Sequence, residues 1–195
     1  MIIIVDTGGA NLGSIQFCLQ RLGTAATLSA DPVLIAGAEK VLLPGVGAAA
    51  DSMKRLEQAE LIPVLRGLTC PVLGICLGMQ LLFESSEEGD VACLGLLPGR
   101  VRKLQPEPGI RVPHIGWNQL ALARNSSLMN GVNGSDYFYF VHSFAAPCTE
   151  HTVATTVNGG EFASVVQRDN FFGAQFHPER SSASGNRFIR NFLEL

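Results

Sequence analysis

The chain has 195 residues, a length that suits a single domain (residues 1–195) with a full hydrophobic core, stable without disulfides or metals. Its formal net charge of −3 and the absence of a Lys/Arg cluster argue against a nucleic-acid-binding protein. Charged residues make up only 16%, compared with about 25% in an average soluble domain, so we expect either a large buried sheet or a covered surface patch.

The N-terminal sequence and the cysteines bear on the compartment. Met1-Ile-Ile-Ile-Val-Asp6 has no basic segment, so it predicts a strand rather than a signal peptide. No apolar run approaches the roughly 20 residues of a membrane-spanning helix. The five cysteines are an odd number at irregular spacings, without a Cys-x-x-Cys pair or a zinc pattern. We therefore expect a cytoplasmic protein that binds no membrane, no metal and no other cofactor.

The first half of the chain predicts alternating strands and helices. Residues 2–5 form an apolar, β-branched strand, and an amphipathic helix follows the Gly-rich segment 6–14. The glycines are spaced G-G-x-x-x-G rather than G-x-G-x-x-G, so we expect a structural turn or a loop facing a partner, not a nucleotide site. The next predicted elements are a strand at 24–28, a short helix beginning at Asp31-Pro32, a strand at 41–43 and a helix at about 48–59.

From Gly99 onward, short strands and turns replace this alternation, which indicates an antiparallel extension of the sheet. The predicted strands are 99–104, 117–121, 137–144, 152–157, 163–167 and 171–175. A polar loop at 84–90 precedes them, and Ser181 is expected to cap a C-terminal helix that follows them. We therefore predict an α/β fold with an open, mostly parallel sheet flanked by helices and an antiparallel extension in the second half.

Cys76 lies between two glycines in Gly74-Ile-Cys-Leu-Gly78, where an apolar strand at 72–75 meets a helical pattern. A buried structural cysteine is one interpretation. The paired glycines favour the other, a nucleophile elbow, because flanking side chains would collide in so sharp a turn. Unpaired N–H groups at the helix start would then favour a thiolate and bind an oxyanion. On that helix, Cys76, Gln80 and Glu84 would share one face.

The segment Pro44-Gly-Val-Gly47 follows a predicted parallel strand, and ligands of open α/β sheets bind at the carboxyl ends of such strands. An ordinary strand-to-helix turn is one interpretation. The second is that its glycines let a peptide turn its N–H toward a ligand, which would make the segment another wall of an oxyanion hole.

His177 is the candidate base for Cys76, because a free thiol with a pKa of about 8.5 needs a base or a cationic partner at neutral pH. Pro178 keeps the backbone of His177 extended, so the carboxylate of Glu179 should lie on the same side as the imidazole. Glu179 would then orient the ring and stabilise the imidazolium, as the third member of a triad does. The other histidines lack such a carboxylate, and we expect a structural role for each: His114, His142 and His151.

These motifs resemble those of the class I (triad) glutamine amidotransferases, through Gly74-Ile-Cys-Leu-Gly-Met-Gln80 and Phe176-His-Pro-Glu179. More narrowly, the chain is similar over essentially its whole length to the glutaminase subunits of imidazole glycerol phosphate synthase, an enzyme of histidine biosynthesis. The narrower resemblance rests on Pro44-Gly-Val-Gly47, Gln80-Leu-Leu-Phe-Glu-Ser-Ser-Glu-Glu-Gly89, Val112-Pro-His-Ile-Gly-Trp-Asn118 and Tyr139-Phe-Val-His-Ser143. It implies the flavodoxin-like fold of class I glutamine amidotransferases.

The resemblance also implies a reaction and a partner. Cys76 would hydrolyse L-glutamine through a thioester, with His177 as general base and acid and Glu179 as its orienter. The ammonia would pass to a (β/α)₈ cyclase subunit that makes imidazole glycerol phosphate and aminoimidazole carboxamide ribonucleotide. The implied oxyanion donors are the backbone N–H groups of Val46 and Leu77. The implied substrate-binding residues are Gly45, Gly47, Gln80, Glu84, His142 and Ser143. The implied partner-facing residues are Asn11, Trp117, Tyr139 and Arg180.

The chain departs from the family pattern at three places. Gly8-Gly-Ala-Asn11 replaces the usual Gly-x-Gly-Asn, Phe144 replaces a tyrosine, and Arg180 replaces a lysine whose hydrogen-bond geometry differs. Two other enzyme readings remain open: the glutaminase subunit of another ammonia-using synthase, such as pyridoxal phosphate synthase, and a free-standing γ-glutamyl hydrolase. A non-enzymatic binding module that keeps the fold is the third alternative.

Overall fold

The computed structural model describes residues 1–6, 8, 12–45 and 47–195. Its strands are β1 (Ile2–Val5), β2 (Ala26–Ser29), β3 (Lys40–Gly45), β4 (Val72–Cys76), β5 (Phe83–Ser86), β6 (Val91–Ala92), β7 (Leu97–Lys103), β8 (His114–Gln119), β9 (Ala121–Leu122), β10 (Tyr137–His142), β11 (Phe144–Ala145), β12 (Thr152–Asn158), β13 (Gly160–Arg168) and β14 (Phe171–Ala174). Its helices are α1 (Leu12–Arg21), α2 (Pro32–Ala36), α3 (Ala49–Gln58), α4 (Leu61–Arg66), α5 (Leu77–Gln80) and α6 (Ser182–Leu193).

The main sheet has eight strands in the order β2-β1-β3-β4-β14-β13-β12-β9. The first five run parallel, and the last three continue the sheet in antiparallel pairs. Because parallel strands end at the same edge, the carboxyl ends of β3, β4 and β14 lie side by side, with Gly45 opposite Cys76 and Ala174 opposite Ile75. The predicted α/β architecture with an antiparallel extension is confirmed.

Alternating side chains of the parallel strands bury two faces of this sheet. On β1, Ile3 and Val5 pack with α2, α3, α4 and α5, whereas Ile4 packs on the opposite face with α1 and α6. Asp31 caps α2 as predicted, since its carboxylate accepts from the N–H of Val33 at 2.8 Å. None of the helices in the described part of the chain combines the length and hydropathy needed to span a bilayer.

Two small sheets lie beside the main one. Strands β10 and β8 form an antiparallel ribbon, and β11, β7, β5 and β6 form a four-stranded sheet. Two sequence predictions are therefore correct only in part, and one helix was missed. The strand at 171–175 belongs to the antiparallel extension on one side only, because β14 pairs antiparallel with β13 but in parallel with β4. The segment 84–90 is not wholly a loop, because Glu84 lies within β5. Helix α4 was not predicted.

Candidate active site

Cys76 is the last residue of β4 and directly precedes α5. Its backbone has φ 54° and ψ −110°, a region that costs a residue with a side chain about 1–3 kcal/mol. The conformation turns the chain sharply from strand to helix. Cys76 is 8% exposed, so its sulfur has limited but real access to the cavity described below. This geometry is the predicted strained elbow.

The two glycines of the elbow are required by close backbone approaches. A Cβ on Gly78 would lie 1.7 Å from the carbonyl oxygen of Leu43 in β3. A Cβ on Gly74 would lie 2.6 Å from the carbonyl oxygen of Gly78. Real Cβ atoms do not approach backbone atoms so closely, so each position excludes a side chain. The glycine pair therefore fixes α5 against β3 and β4.

The helix after the elbow is shorter than predicted, and this changes the position of Glu84. Helix α5 ends at Gln80, and Glu84 lies on β5 as an exposed residue whose carboxylate accepts from the N–H of Gly99 at 2.9 Å. The prediction that Glu84 shares a face with Cys76 and Gln80 is therefore wrong. One turn of helix also carries only a small dipole, so any anion stabilisation must come from individual N–H groups.

His177 and Glu179 form a direct hydrogen bond, with 2.8 Å between Nδ1 and Oε1. The contact was predicted, and the backbone of His177 is extended as expected before Pro178, but residues 178–180 then form a 3₁₀ turn rather than an extended segment. Ser181 was predicted to cap α6, yet its hydroxyl makes no capping hydrogen bond. Instead it donates to the carbonyl oxygen of His177 at 2.7 Å and accepts from the N–H of Tyr139 at 2.9 Å. Ser181 thus holds the backbone that carries the imidazole.

The charge state of His177 is set by competing effects. Burial favours the neutral imidazole, but hydrogen bonds and charge interactions with Cys76 and Glu179 outweigh it and raise the pKa of His177 to about 10. At neutral pH the ring is therefore an imidazolium held between the sulfur and the carboxylate. Cys76 and His177, which are far apart in sequence, meet at the edge of one sheet as the elbow prediction requires.

A cavity of about 610 Å³ opens beside Cys76. Its lining contains the predicted oxyanion donor Leu77 and five of the predicted substrate-binding residues: Gly45, Gly47, Gln80, His142 and Ser143. Glu84 is not among the lining residues, but Glu88 is. The carboxylate of Glu88 accepts from the N–H of Ala49 at the start of α3, at 2.9 Å. Burial, the largest effect, raises the pKa of Glu88, and nearby Asp51 adds to this.

His142 and His114 are buried and neutral, and their hydrogen bonds are consistent with only one assignment of donors and acceptors. The carbonyl oxygen of Phe144 can only accept, so His142 Nδ1, 2.8 Å away, carries a proton. His142 Nε2 then accepts from His114 Nδ1 at 3.1 Å, and His114 Nε2 faces the amide of Asn118 at 3.4 Å. Burial lowers the pKa of His142 to about 4, and it also lowers the pKa of His114. His142 is therefore a neutral member of the cavity wall.

Three of the four predicted partner-facing residues, Trp117, Tyr139 and Arg180, lie on or near the β8–β10 ribbon. Trp117 is 50% exposed, and its ring meets that of the cross-strand neighbour Tyr139 edge-on, with 5.9 Å between centroids. Arg180 is exposed and lines the cavity together with Tyr139. Asn11 and Val46 were also predicted as site residues, but both lie outside the described residues.

Sequence reasoning missed Glu88 and the bonding role of Ser181. Glu88 carried a weak signal, because it is an acid in the same polar segment as Glu84. The sequence signal at Ser181 was misleading, because a serine before a helix normally indicates an N-cap.

Comparisons with known proteins identify the family of this chain. The family model described as glutamine amidotransferase class-I matches residues 4–195. The imidazole glycerol phosphate synthase subunit HisH of Xanthomonas axonopodis pv. citri is 55% identical over 194 residues, covering 100% of this chain and 97% of that protein. The protein of the same description from Xylella fastidiosa (strain Temecula1) is also 55% identical over 194 residues, with the same coverage.

Solved structures share the fold at low sequence identity. One, described as a glutamine amidotransferase, has a TM-score of 0.76 and 19% identity, covering 100% of this chain and 98% of that one. The glutaminase domain of Trypanosoma brucei CTPS has a TM-score of 0.67 and 17% identity, covering 99% of this chain and 93% of that one. The chain therefore belongs to the class I glutamine amidotransferase family and, within it, to the HisH subunits of imidazole glycerol phosphate synthase.

Proposed function

We propose that this chain is a glutaminase that hydrolyses L-glutamine at Cys76 and supplies the ammonia to the cyclase subunit of imidazole glycerol phosphate synthase. The observation that carries the proposal is the arrangement of Cys76, His177 and Glu179 beside one cavity, in a chain that matches HisH subunits over its whole length. A nucleophile, its base and an orienting carboxylate are the groups that an amidase reaction needs.

The first half of the reaction breaks the side-chain amide of glutamine. The Cys76 thiolate attacks the amide carbon, and the electron pair of the carbonyl moves to oxygen. We assign the backbone N–H of Leu77 and that of Val46 as donors to this oxyanion, each worth about 3 kcal/mol in comparable enzymes. The imidazolium of His177 then donates its proton to the nitrogen, the C–N bond breaks, and ammonia leaves. A γ-glutamyl thioester remains on Cys76.

In the second half of the reaction, His177 must act as a base. Formation of the thioester changes the protonation state that the ring favours. Once the sulfur is acylated, it no longer carries the negative charge that helps to raise the pKa of His177. Burial, the largest single effect on the ring, then favours the neutral imidazole. Neutral His177 removes a proton from water, the resulting hydroxide attacks the thioester, and glutamate leaves as the thiolate forms again.

Glu88 is the residue we assign to the α-ammonium group of glutamine. It carries the only carboxylate among the described residues that line the cavity, and its pKa, raised by burial, indicates that a cationic partner would stabilise the ion. Neutral polar groups of Gln80 and Ser143 line the same wall and are assigned to the remaining polar groups of the substrate, with Gly45 and Gly47 allowing the close approach of backbone. His142 also lines this wall, but both of its ring nitrogens are already hydrogen-bonded, to Phe144 and to His114, so we assign no substrate contact to its ring.

We assign the partner surface to the ribbon, with Trp117 and Tyr139 as its aromatic centre and with Arg180 beside it. From the family resemblance alone, we also propose that Asn11 faces the partner. Trp117 is exposed and Tyr139 is half-buried, and aromatic residues are enriched among the anchors of protein interfaces. The proposed assembly is a cytoplasmic heterodimer with a (β/α)₈ cyclase subunit, together acting as a lyase. Ammonia released to bulk water would be protonated and lost as a nucleophile, so we place an enclosed channel between the two active sites.

The test is ammonia release from glutamine, measured for the chain alone and with the cyclase subunit and its nucleotide ligand. We expect weak activity alone, strong stimulation by the cyclase, and loss of activity in Cys76→Ala. Full activity without a partner would instead indicate a free-standing γ-glutamyl hydrolase. Stimulation only by a different synthase would change the partner. Unchanged glutamine hydrolysis by Cys76→Ala in the complex would exclude the mechanism.

A further inference from the structure

Gln175 is a buried polar residue next to the nucleophile, and the mechanism above does not use it. It directly follows β14 and is 0% exposed. Its side-chain Nε2 lies 3.8 Å from Cys76 Sγ, within hydrogen-bonding distance for sulfur. Its backbone N–H donates to the carbonyl oxygen of Ser164 at 2.8 Å, which ties the residue to the neighbouring strand β13. The backbone of Gln175 is therefore held in place, and its side chain points at the sulfur of Cys76.

The orientation of this amide follows from its neighbours. The carbonyl oxygen of Phe144 can only accept, so the group of Gln80 that lies 2.8 Å from it must be the NH₂. The same Nε2 of Gln80 lies 3.0 Å from the other end of the Gln175 amide, which must therefore be the acceptor Oε1. This leaves the NH₂ group of Gln175 facing the sulfur. Gln80 thus acts as a positioning residue for Gln175.

The register of the sheet explains why this donor reaches Cys76. Strands β14 and β4 are parallel neighbours, with Ala174 opposite Ile75, so the residues that follow this pair lie side by side. His177 is two residues beyond Gln175 and also interacts with Cys76. One segment therefore offers the sulfur both a charged donor and a neutral donor.

A buried N–H donor beside the sulfur favours one ionisation state. Hydrogen bonds to an ionised acceptor are roughly twice as strong as those between neutral groups, so the amide stabilises a thiolate more than a thiol. A buried NH₂ group without an acceptor would also be destabilising, and the sulfur provides that acceptor. The contact can therefore raise the thiolate population and hold the sulfur in one position.

We propose that Gln175 is a further catalytic residue, whose amide N–H donates to the Cys76 thiolate and stabilises it for attack on the substrate. The proposal rests on Cys76 being the nucleophile of the proposed function. It assigns Gln80 a second task besides substrate binding, namely fixing the orientation of the Gln175 amide. It adds a donor from the residue that follows β14 to the one that His177 supplies.

The first test uses Gln175→Met, which keeps the length of the side chain but removes the donor. Alkylation of Cys76 by iodoacetamide is followed against pH by mass spectrometry of the peptide that contains Cys76, in the chain without glutamine. We expect the midpoint of the pH–rate curve to move upward by about half to one pH unit. Gln105→Met, at an exposed position, is the matched control and should leave the midpoint unchanged. Thermal melting confirms that both variants fold.

The second test uses the unaltered protein, so it does not depend on the folding of a Gln175 variant. The side-chain amide signal of Gln175 is followed by NMR during a pH titration. We expect it to move as Cys76 ionises and to lose that movement in Cys76→Ala. An amide signal that does not respond to Cys76, or an unchanged alkylation midpoint in folded Gln175→Met, would overturn the proposal. Neither readout needs glutamine hydrolysis, so failure here is distinct from failure of the proposed function.

Discussion

Substituting Gly78 tests whether the elbow depends on the backbone contact between α5 and β3. In Gly78→Ala the new Cβ would lie 1.7 Å from the carbonyl oxygen of Leu43 and 2.8 Å from its carbonyl carbon. An ordinary C···O contact is about 3.3 Å, so α5 and β3 must separate by roughly 1.5 Å. Both atoms that the Cβ meets belong to the backbone, and no side-chain rotation can relieve the contact.

Two consequences of that separation have different magnitudes. Overpacking a core usually costs about 1–3 kcal/mol, and a backbone contact of this kind should lie at or above the upper end. Because proteins are stable by only about 5–15 kcal/mol, the variant should remain measurable but clearly destabilised. A displacement of about 1 Å at a catalytic group can also lower the rate about 100-fold, and Cys76 lies two residues from the substituted position.

The assays are urea denaturation and ammonia release with the cyclase subunit at saturation. Gly160→Ala is the matched control, because its Cβ would have no heavy atom within 4 Å and its φ is not positive. We expect Gly160→Ala to stay within about 0.5 kcal/mol of the original chain and to keep its activity. If Gly78→Ala matched the control in both stability and rate, the close approach would not be what shapes the elbow.

Three further predictions concern substrate, pH and partner. Glu88→Gln should raise KM for glutamine about tenfold or more, since a charged hydrogen bond contributes about 1.5–3 kcal/mol, whereas Glu84→Gln should change it less than about twofold; steady-state kinetics that reversed this ranking would contradict the assignment of Glu88. The folded-state pKa of His142 is lowered from 6.5 to about 4, so its contribution to stability is present above pH 6.5 and is lost as pH falls toward 4. Urea denaturation should therefore show about 2 kcal/mol lost from this residue at pH 5, and His142→Gln should lack that part of the slope; an equal slope in both would contradict the neutral state. Trp117→Ala should weaken binding of the cyclase by about 2 kcal/mol in calorimetry, as anchors of interfaces do, while the exposed Val33→Ala on α2 serves as control; equal effects of the two would argue against the ribbon as the interface.

The elements that were predictable from sequence are those whose signals are local. The run Ile2–Val5 and the Asp31-Pro32 helix start appear where the sequence places them, because β-branched runs and N-caps are determined by nearby residues. The His177–Glu179 contact was predictable for the same reason. Its turn was not, because the hydrogen bonds of Ser181 to His177 and Tyr139 help to shape it.

The errors come from contacts between distant segments. Leu81, Leu82 and Phe83 are all buried, and an apolar run of this kind fits a helix as well as a strand. Because Phe83 pairs with Leu97, this segment forms a strand. Glu84 therefore does not lie on the helix face predicted to be shared by Cys76 and Gln80. Gln175 and Cys76 are 99 residues apart, and their contact follows from the register of β14 with β4. Sequence spacing gives no indication of that register.

The most direct test of the central claim is detection of the covalent intermediate. The complex with the cyclase subunit is mixed with glutamine, stopped with acid within the turnover time, and digested for mass spectrometry. We predict a γ-glutamyl group on the peptide that contains Cys76, which is absent from Cys76→Ala. Ammonia release at full rate with no modification of Cys76 at any time point, or with the modification on another cysteine, would contradict the assignment of Cys76 as the nucleophile.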